Sequence, residues 1–221
     1  MTQLEIACFN TESAIIAAQA GADRIELCAG IEVGGTTPDI TDVREVLKQV
    51  MVPVYVMVRP RGGDFLYTDD EFEAMKKSIA DLKKLHVHGL VFGILHEDGT
   101  IDLKRNRLLV ALAHPIPCTF HRAFDRVVDW NTALEQVIDC GFSTILTSGT
   151  MANVVEGVNE LKAMQIAAKG RITIMPGGGL RSTNVAGIVQ QTQVTFVHSS
   201  AITDTGVNAN PIEVKALKQQ L

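Results

Sequence analysis

The chain has 221 residues, 46% hydrophobic and 20% charged, a composition that suits one large α/β domain or two small ones. A net charge of −5 without a Lys/Arg run longer than two argues against sequence-independent nucleic-acid binding, which needs a basic face. No apolar stretch approaches the roughly 20 residues of a membrane span, and "MTQLEIACF" lacks the basic start of a signal peptide, so the expectation is a soluble cytoplasmic protein.

The predicted elements alternate along the chain. Strand 4–9 (LEIACF) leads to helix 11–20, strand 24–28 (RIELC) to helix 40–50, and strand 52–58 to helix 69–85. Strand 89–95 leads to helix 105–113, strand 117–122 to helix 130–139, and strand 143–148 to helix 153–168. Strand 171–175 leads to helix 183–191, and strand 193–199 to helix 211–220. Thr68-x-x-Glu71 reads as a capping box, and Gly21, Gly89, Gly141 and Gly170 fall where a left-handed helix cap is common. Eight strand–helix units of about 28 residues imply a parallel sheet. With no linker-like segment, the reading is a single-domain (β/α)8 TIM barrel. A doubly wound sheet would favour a Gly-rich fingerprint after the first strand, and "CFNTES" is not one.

Side chains alternate across a strand, so parity sorts them into helix-facing and interior sets. Ile25 and Leu27 should meet the helices, which turns Arg24, Glu26 and Cys28 inward. By the same argument Leu4, Ile6, Val54, Val56, Val58, Cys118 and Phe120 face out. Glu5, Tyr55, Met57, Arg59, Thr119 and His121 then face in, and Phe196 shares a face with His198. Barrel interiors are ordinarily aliphatic, and buried charges must neutralise one another or a ligand. Either a self-satisfied Glu–Arg network fixes strand register, or the interior is a site.

Polar residues at the C-terminal strand ends favour a site, because barrel enzymes place theirs there. "TFHRAFD" (119–125) puts Arg122 at the rim and Asp125 above it, and "RPRGGD" (59–64) adds Arg59 and Arg61. Ser148 follows the sixth strand, "PGGG" (176–179) the seventh, and His198 and Ser199 end the eighth. Gly177, Gly178 and Gly179 would let backbone amides approach an anion. A small anionic ligand is therefore the expected partner. Glu26 or Glu5 would be the acid/base group with His121 as its partner, and Arg24, Arg59, Arg61 and Arg122 would hold charge. His86, His88 and His114 lie in turns at the opposite end, and His96 stands alone.

"GADRIELC" (21–28), "GGTTPD" (34–39), "RPRGGDFLYTDDE" (59–71), "TFHRAFD" (119–125), "LTSG" (146–149), "IMPGGG" (174–179) and "VHSSA" (197–201) resemble the CutC family, named for copper homeostasis. The resemblance implies a cytoplasmic, self-associating (β/α)8 barrel, here a homodimer, that is proposed to bind copper. It implies no established reaction. The soft ion Cu(I) prefers thiolates, and Cys28 occupies the family's second-strand cysteine. The first strand departs from the pattern: members usually read Glu-x-Cys, whereas this chain has Ala7 with Cys8 beside it. A one-residue step reverses the face, so Cys8 should point at the helices. Phe196 is a second departure, since many members carry a carboxylate there. The resemblance puts first a copper-homeostasis protein binding Cu(I) at the mouth of the barrel through Cys28; the alternative is a barrel enzyme acting on a phosphorylated or carboxylated metabolite.

Overall fold

The computed structural model describes residues 2–221. Its strands are β1 (Gln3–Cys8), β2 (Arg24–Leu27), β3 (Val54–Met57), β4 (Gly89–Phe92), β5 (Cys118–Phe120), β6 (Thr144–Thr147), β7 (Thr173–Pro176) and β8 (Phe196–Ser199). The helices between and after them are α1 (Thr11–Ala20), α2 (Ile40–Gln49), α3 (Asp69–Lys84), α4 (Leu103–Ala113), α5 (Trp130–Cys140), α6 (Val158–Ala168), α7 (Val185–Thr192) and α8 (Pro211–Gln219). The strands pair in parallel in the order β7-β6-β5-β4-β3-β2-β1-β8. This is a nearly closed eight-stranded barrel ringed by eight helices. No helix among the described residues is long and apolar enough to cross a membrane.

Local chemistry explains the helix ends. The Asn10 side chain accepts from Ser13 N–H to open α1, and Thr68 with Glu71 forms the expected capping box on α3. Gly21 and Gly141 are left-handed caps. At the end of α6, Lys169 takes that role and Gly170 follows it. Gly89 differs from expectation. It begins β4, and its missing side chain makes room for the Tyr55 ring lying against it. Helix α6 starts later than predicted, at Val158, because the Asn153 carboxamide accepts from Val155 and Glu156 N–H and holds a turn there.

The two faces of each strand separate as alternation requires. Leu4, Ile6, Cys8, Ile25, Leu27, Val54, Val56, Cys118 and Phe120 join the apolar layer beneath the helices. Cys28, Tyr55, Met57 and Val91 form a smaller cluster inside the ring. Register decides which interior charges meet: Glu5 stands beside Arg24 on one side and His198 on the other, and Ala7 stands beside Glu26. The Arg24 guanidinium is sandwiched between the rings of Tyr55 and Phe196, 4.1 Å from each centroid. A cation so placed gains from both ring faces.

Candidate active site at the barrel mouth

A cavity of about 210 Å³ opens at the C-terminal ends of the strands. Its polar wall comes from Glu26, Arg59, His121, Arg122, Arg181 and His198, and its apolar wall includes Met57 and Phe65. Ser199, Ser200, Gly178, Gly179 and the Cys28 thiol complete the rim and floor.

Glu5, His198 and Glu26 stand in a row at and beneath the floor of the cavity. The Glu5 carboxylate is fully buried, accepts from Arg24 Nε and lies 2.8 Å from His198 Nδ1. Burial alone would raise its pKa, but the Arg24 charge and the hydrogen bonds from His198 and Arg24 hold it below the usual carboxylate range. Ionised Glu5 can only accept, so His198 Nδ1 carries a proton. Nε2 of the same ring then faces Glu26 Oε2 at 3.8 Å. Burial would lower the His198 pKa, but the facing carboxylates of Glu26 and Glu5 raise it. Glu26 is itself pushed up to about 7 by burial, against the pull of His198 and with the repulsion of Glu5. Glu5, Glu26 and His198 present one ligand atom each within 4.8 Å of one another.

Cys28 Sγ lies 3.6 Å from Glu26 Oε2. Burial and the Glu26 charge push the thiol well above its ordinary value. His121 follows β5 and caps the short 3-10 turn Arg122–Arg126, its Nδ1 accepting from Ala123 N–H at 3.3 Å. The proton therefore sits on Nε2. Burial and the neighbouring Arg59 charge lower the imidazole to about 3, which keeps it neutral.

Arg59 is buried, at 4% exposure, and donates to the carbonyls of Val33, Gly35 and Gly63. Among the described residues it has no carboxylate partner. Arg122 spans the rim, held by Asp125 Oδ2 at 2.7 Å and Ser148 Oγ at 2.9 Å. Gly178, at φ +105, lies flat under its guanidinium; a Cβ there would come 2.8 Å from Arg122 Nη1.

Several sequence-predicted residues act behind the site. Glu5 and Arg24 do not line the cavity: Arg24 lies in its aromatic sandwich and on one oxygen of Glu5, whose other oxygen holds His198 Nδ1. Arg61 turns away, because Glu71 Oε1 at 2.6 Å and Asp64 Oδ1 at 2.9 Å hold it against the start of α3. Asp125 accepts from Thr147 Oγ1 and Ser148 N–H, so it and Ser148 buttress Arg122. Gly177 serves the β7–β8 seam, where a Cβ would stand 3.1 Å from His198 Cβ. Arg181 was not foreseen. It reaches the rim by donating to the Leu180 and Ile202 carbonyls and to Ser199 Oγ. Its place in "GGGLRS", two residues past the glycines, was the signal that could have found it.

Fold and site together define a small (β/α)8 barrel with an acid–imidazole–arginine site at the C-terminal end of the ring. The CutC family model matches residues 2–203. The human copper homeostasis protein cutC homolog is 47% identical over 198 residues, 90% of this chain and 72% of that protein. The crystal structure of a candidate copper homeostasis protein CutC from Streptococcus agalactiae superposes with a TM-score of 0.87 at 34% identity, covering 92% of this chain and all of that one. The chain belongs to the CutC family. Phosphoribosyl anthranilate isomerase from Thermotoga maritima shares the fold, with a TM-score of 0.64 at 14% identity over all of this chain and 98% of its own.

Proposed function

We propose that the mouth is the active site of an enzyme acting on a small anionic metabolite, phosphorylated or carboxylated. The observation that carries this reading is a set of buried polar atoms without protein partners on cavity-lining residues: Glu26 Oε1, Arg59 Nε and His121 Nε2. A buried group left unpaired costs about 1–3 kcal/mol, more when charged. A bound anion would satisfy the cation and the imidazole N–H together. Arg122 and the Gly178–Gly179 turn then hold the charged end of the ligand. Glu26, backed by His198, exchanges a proton at the other end. A general base works best with a pKa near the operating pH, which matches Glu26 at about 7.

A thermal-shift series with inorganic phosphate and small phosphorylated and carboxylated metabolites tests this. A ligand at 100 times its Kd adds about 2.7 kcal/mol, roughly 5–10 °C for a chain of this size. Arg122→Ala is expected to weaken anion affinity about tenfold or more, as losing a charged hydrogen bond does. If no anion moves the Tm, the pocket has been misread.

Copper is what the names of the relatives bring. Cu(I) seeks two or more soft donors, and Cys28 is the single thiol on the cavity wall. Cys8 lies in the outer apolar layer, and both thiols are held protonated by burial. The wall lacks the second thiolate that a Cu(I) site of the family type would use, and leaves Cys28 with only the Met57 thioether as a soft neighbour. Titration with Cu(I) against a chelator is accordingly expected to give the same stoichiometry for Cys28→Ala and the parent. A lost equivalent in the variant would reinstate a thiolate copper site.

A further inference from the structure

The groups lining the cavity point to a particular reaction, and that reaction presupposes the anion-binding role proposed for the mouth. We infer that the protein enolises a small phosphorylated or carboxylated carbonyl compound, with Glu26 as the base at the carbon beside the carbonyl and His121 Nε2–H as the donor to the carbonyl oxygen.

The first support is a fixed tautomer. Ala123 N–H occupies His121 Nδ1, so Nε2 must present its hydrogen, and that hydrogen has no protein acceptor. A neutral imidazole is the better-matched partner for an enolate oxygen, since an imidazolium would be too acidic to share the proton evenly. Burial with the Arg59 charge nearby keeps the ring neutral. The ring is also held in place, with Phe65 tilted against it at 4.8 Å between centroids.

The second support is the base. Glu26 leaves Oε1 unpartnered, while its Oε2 faces His198 Nε2 and the Cys28 thiol. Oε1 is therefore the buried oxygen that lacks a protein partner, and the other lies near a ring that can take up or return a proton. A carboxylate base working with a neutral imidazole donor is a known solution for enolising a carbonyl compound, and both groups line this cavity. Arg59 adds fixed positive charge where negative charge develops, the arrangement that lowers such barriers.

The step balances within the substrate and two side chains. Glu26 removes a proton from the α-carbon, and the C–H electron pair becomes the new C=C bond. The carbonyl π pair moves onto oxygen, where His121 Nε2–H and the Arg59 charge stabilise it. Return of the proton from Glu26 to the same carbon restores the ketone. For an enediol, delivery to the neighbouring carbon yields the isomer, with His121 Nε2 giving its proton to the former carbonyl oxygen and regaining one from the hydroxyl that becomes the new carbonyl. No oxidant, reductant or metal is consumed. Met57, Phe65 and Leu146 on the cavity wall leave room for a short carbon chain between the proton-transfer groups and the Arg122 end. A cavity of about 210 Å³ favours compounds with a short carbon chain.

The test is α-hydrogen exchange in D2O, followed by proton NMR. Dihydroxyacetone phosphate, ribulose 5-phosphate and 2-oxoglutarate serve as probes, and thermal shift reports binding in the same samples. The expected result is loss of an α-proton signal from at least one probe with the parent protein. Glu26→Gln should slow it by about 100-fold or more while that probe still raises the Tm. His121→Phe should also slow exchange, and Glu26→Asp, which keeps a carboxylate, should retain part of it. A probe that binds without exchanging above the buffer rate overturns enolisation and leaves the anion site standing. Exchange undiminished in Glu26→Gln overturns Glu26 as the base. Absence of binding by every probe overturns both readings.

Discussion

Arg24→Met is expected to cost about 3–5 kcal/mol, the usual penalty for removing one partner of a buried ion pair. In a chain of 221 residues that lowers the Tm by on the order of 10 °C. The loss has two sources. Glu5, fully buried, would keep only His198 as a partner and would have to take up a proton or remain charged in a dry interior. The rings of Tyr55 and Phe196, each 4.1 Å from the guanidinium, would also lose the cation between them. Glu5 gives the pH direction. Its pKa is lowered on folding, so its contribution is complete above the ordinary carboxylate value and is lost as pH falls through the lowered one. The parent should therefore lose its advantage over Arg24→Met in acid. Replacing both partners, as in Glu5→Gln/Arg24→Met, should cost less than the two single changes added together, because neither then strands a charge. Urea unfolding at pH 7 measures all four proteins. A cost below about 1 kcal/mol for Arg24→Met would mean that the pair does not anchor the floor of the barrel.

Glu26→Gln is expected to act in the opposite sense on stability. Glu26 has a pKa near 7 in the folded protein against an ordinary 4.5, so the folded state holds its proton more tightly. Its favourable contribution is full below 4.5 and is lost as pH rises towards 7. At 1.36 kcal/mol per pKa unit, the shift corresponds to about 3 kcal/mol as an upper bound, shared with the groups that face it: His198, Glu5, Arg24 and Cys28. His198 is raised as well and likewise loses its contribution as pH rises through its own raised value. The variant should thus melt higher than the parent at pH 8 and nearly with it at pH 5. An equal Tm difference at both pH values would show that Glu26 ionises in the fold as it does in water. Turnover should move the other way, falling about 10²–10⁴-fold. Higher stability at pH 8 together with lost turnover is the pair of results that the proposed proton-transfer role of Glu26 requires.

Much of this architecture was legible before any coordinates. Alternation in "LEIACF" and "RIELC" correctly turned Glu5, Arg24 and Glu26 inward and Cys8 outward, because side-chain direction follows from the strand backbone alone. The Gly178–Gly179 turn after β7 followed from element order, whereas His121, read as the inward end of a strand over 117–122, lies just past β5, which ends at Phe120. Arg61 and Arg122 could not be told apart in that way: both are rim arginines by position, and only the location of Glu71 on α3 and of Asp125 and Ser148 beside β6 sends one away and holds the other in place. Gly177 read as an anion-binding residue because its role at the β7–β8 seam exists only once the ring closes.

The sequence by itself determined the periodicity, and with it the repeating unit, the barrel and the charged character of its interior, since these depend on backbone geometry and on which residue stands next to which. Only the tertiary structure decided that Glu5 lies between Arg24 and His198, that Glu26 keeps an oxygen free and that Arg59 lacks a carboxylate among the described residues. Those facts depend on the stagger between strands distant in sequence, and that stagger is set by closure of the whole ring.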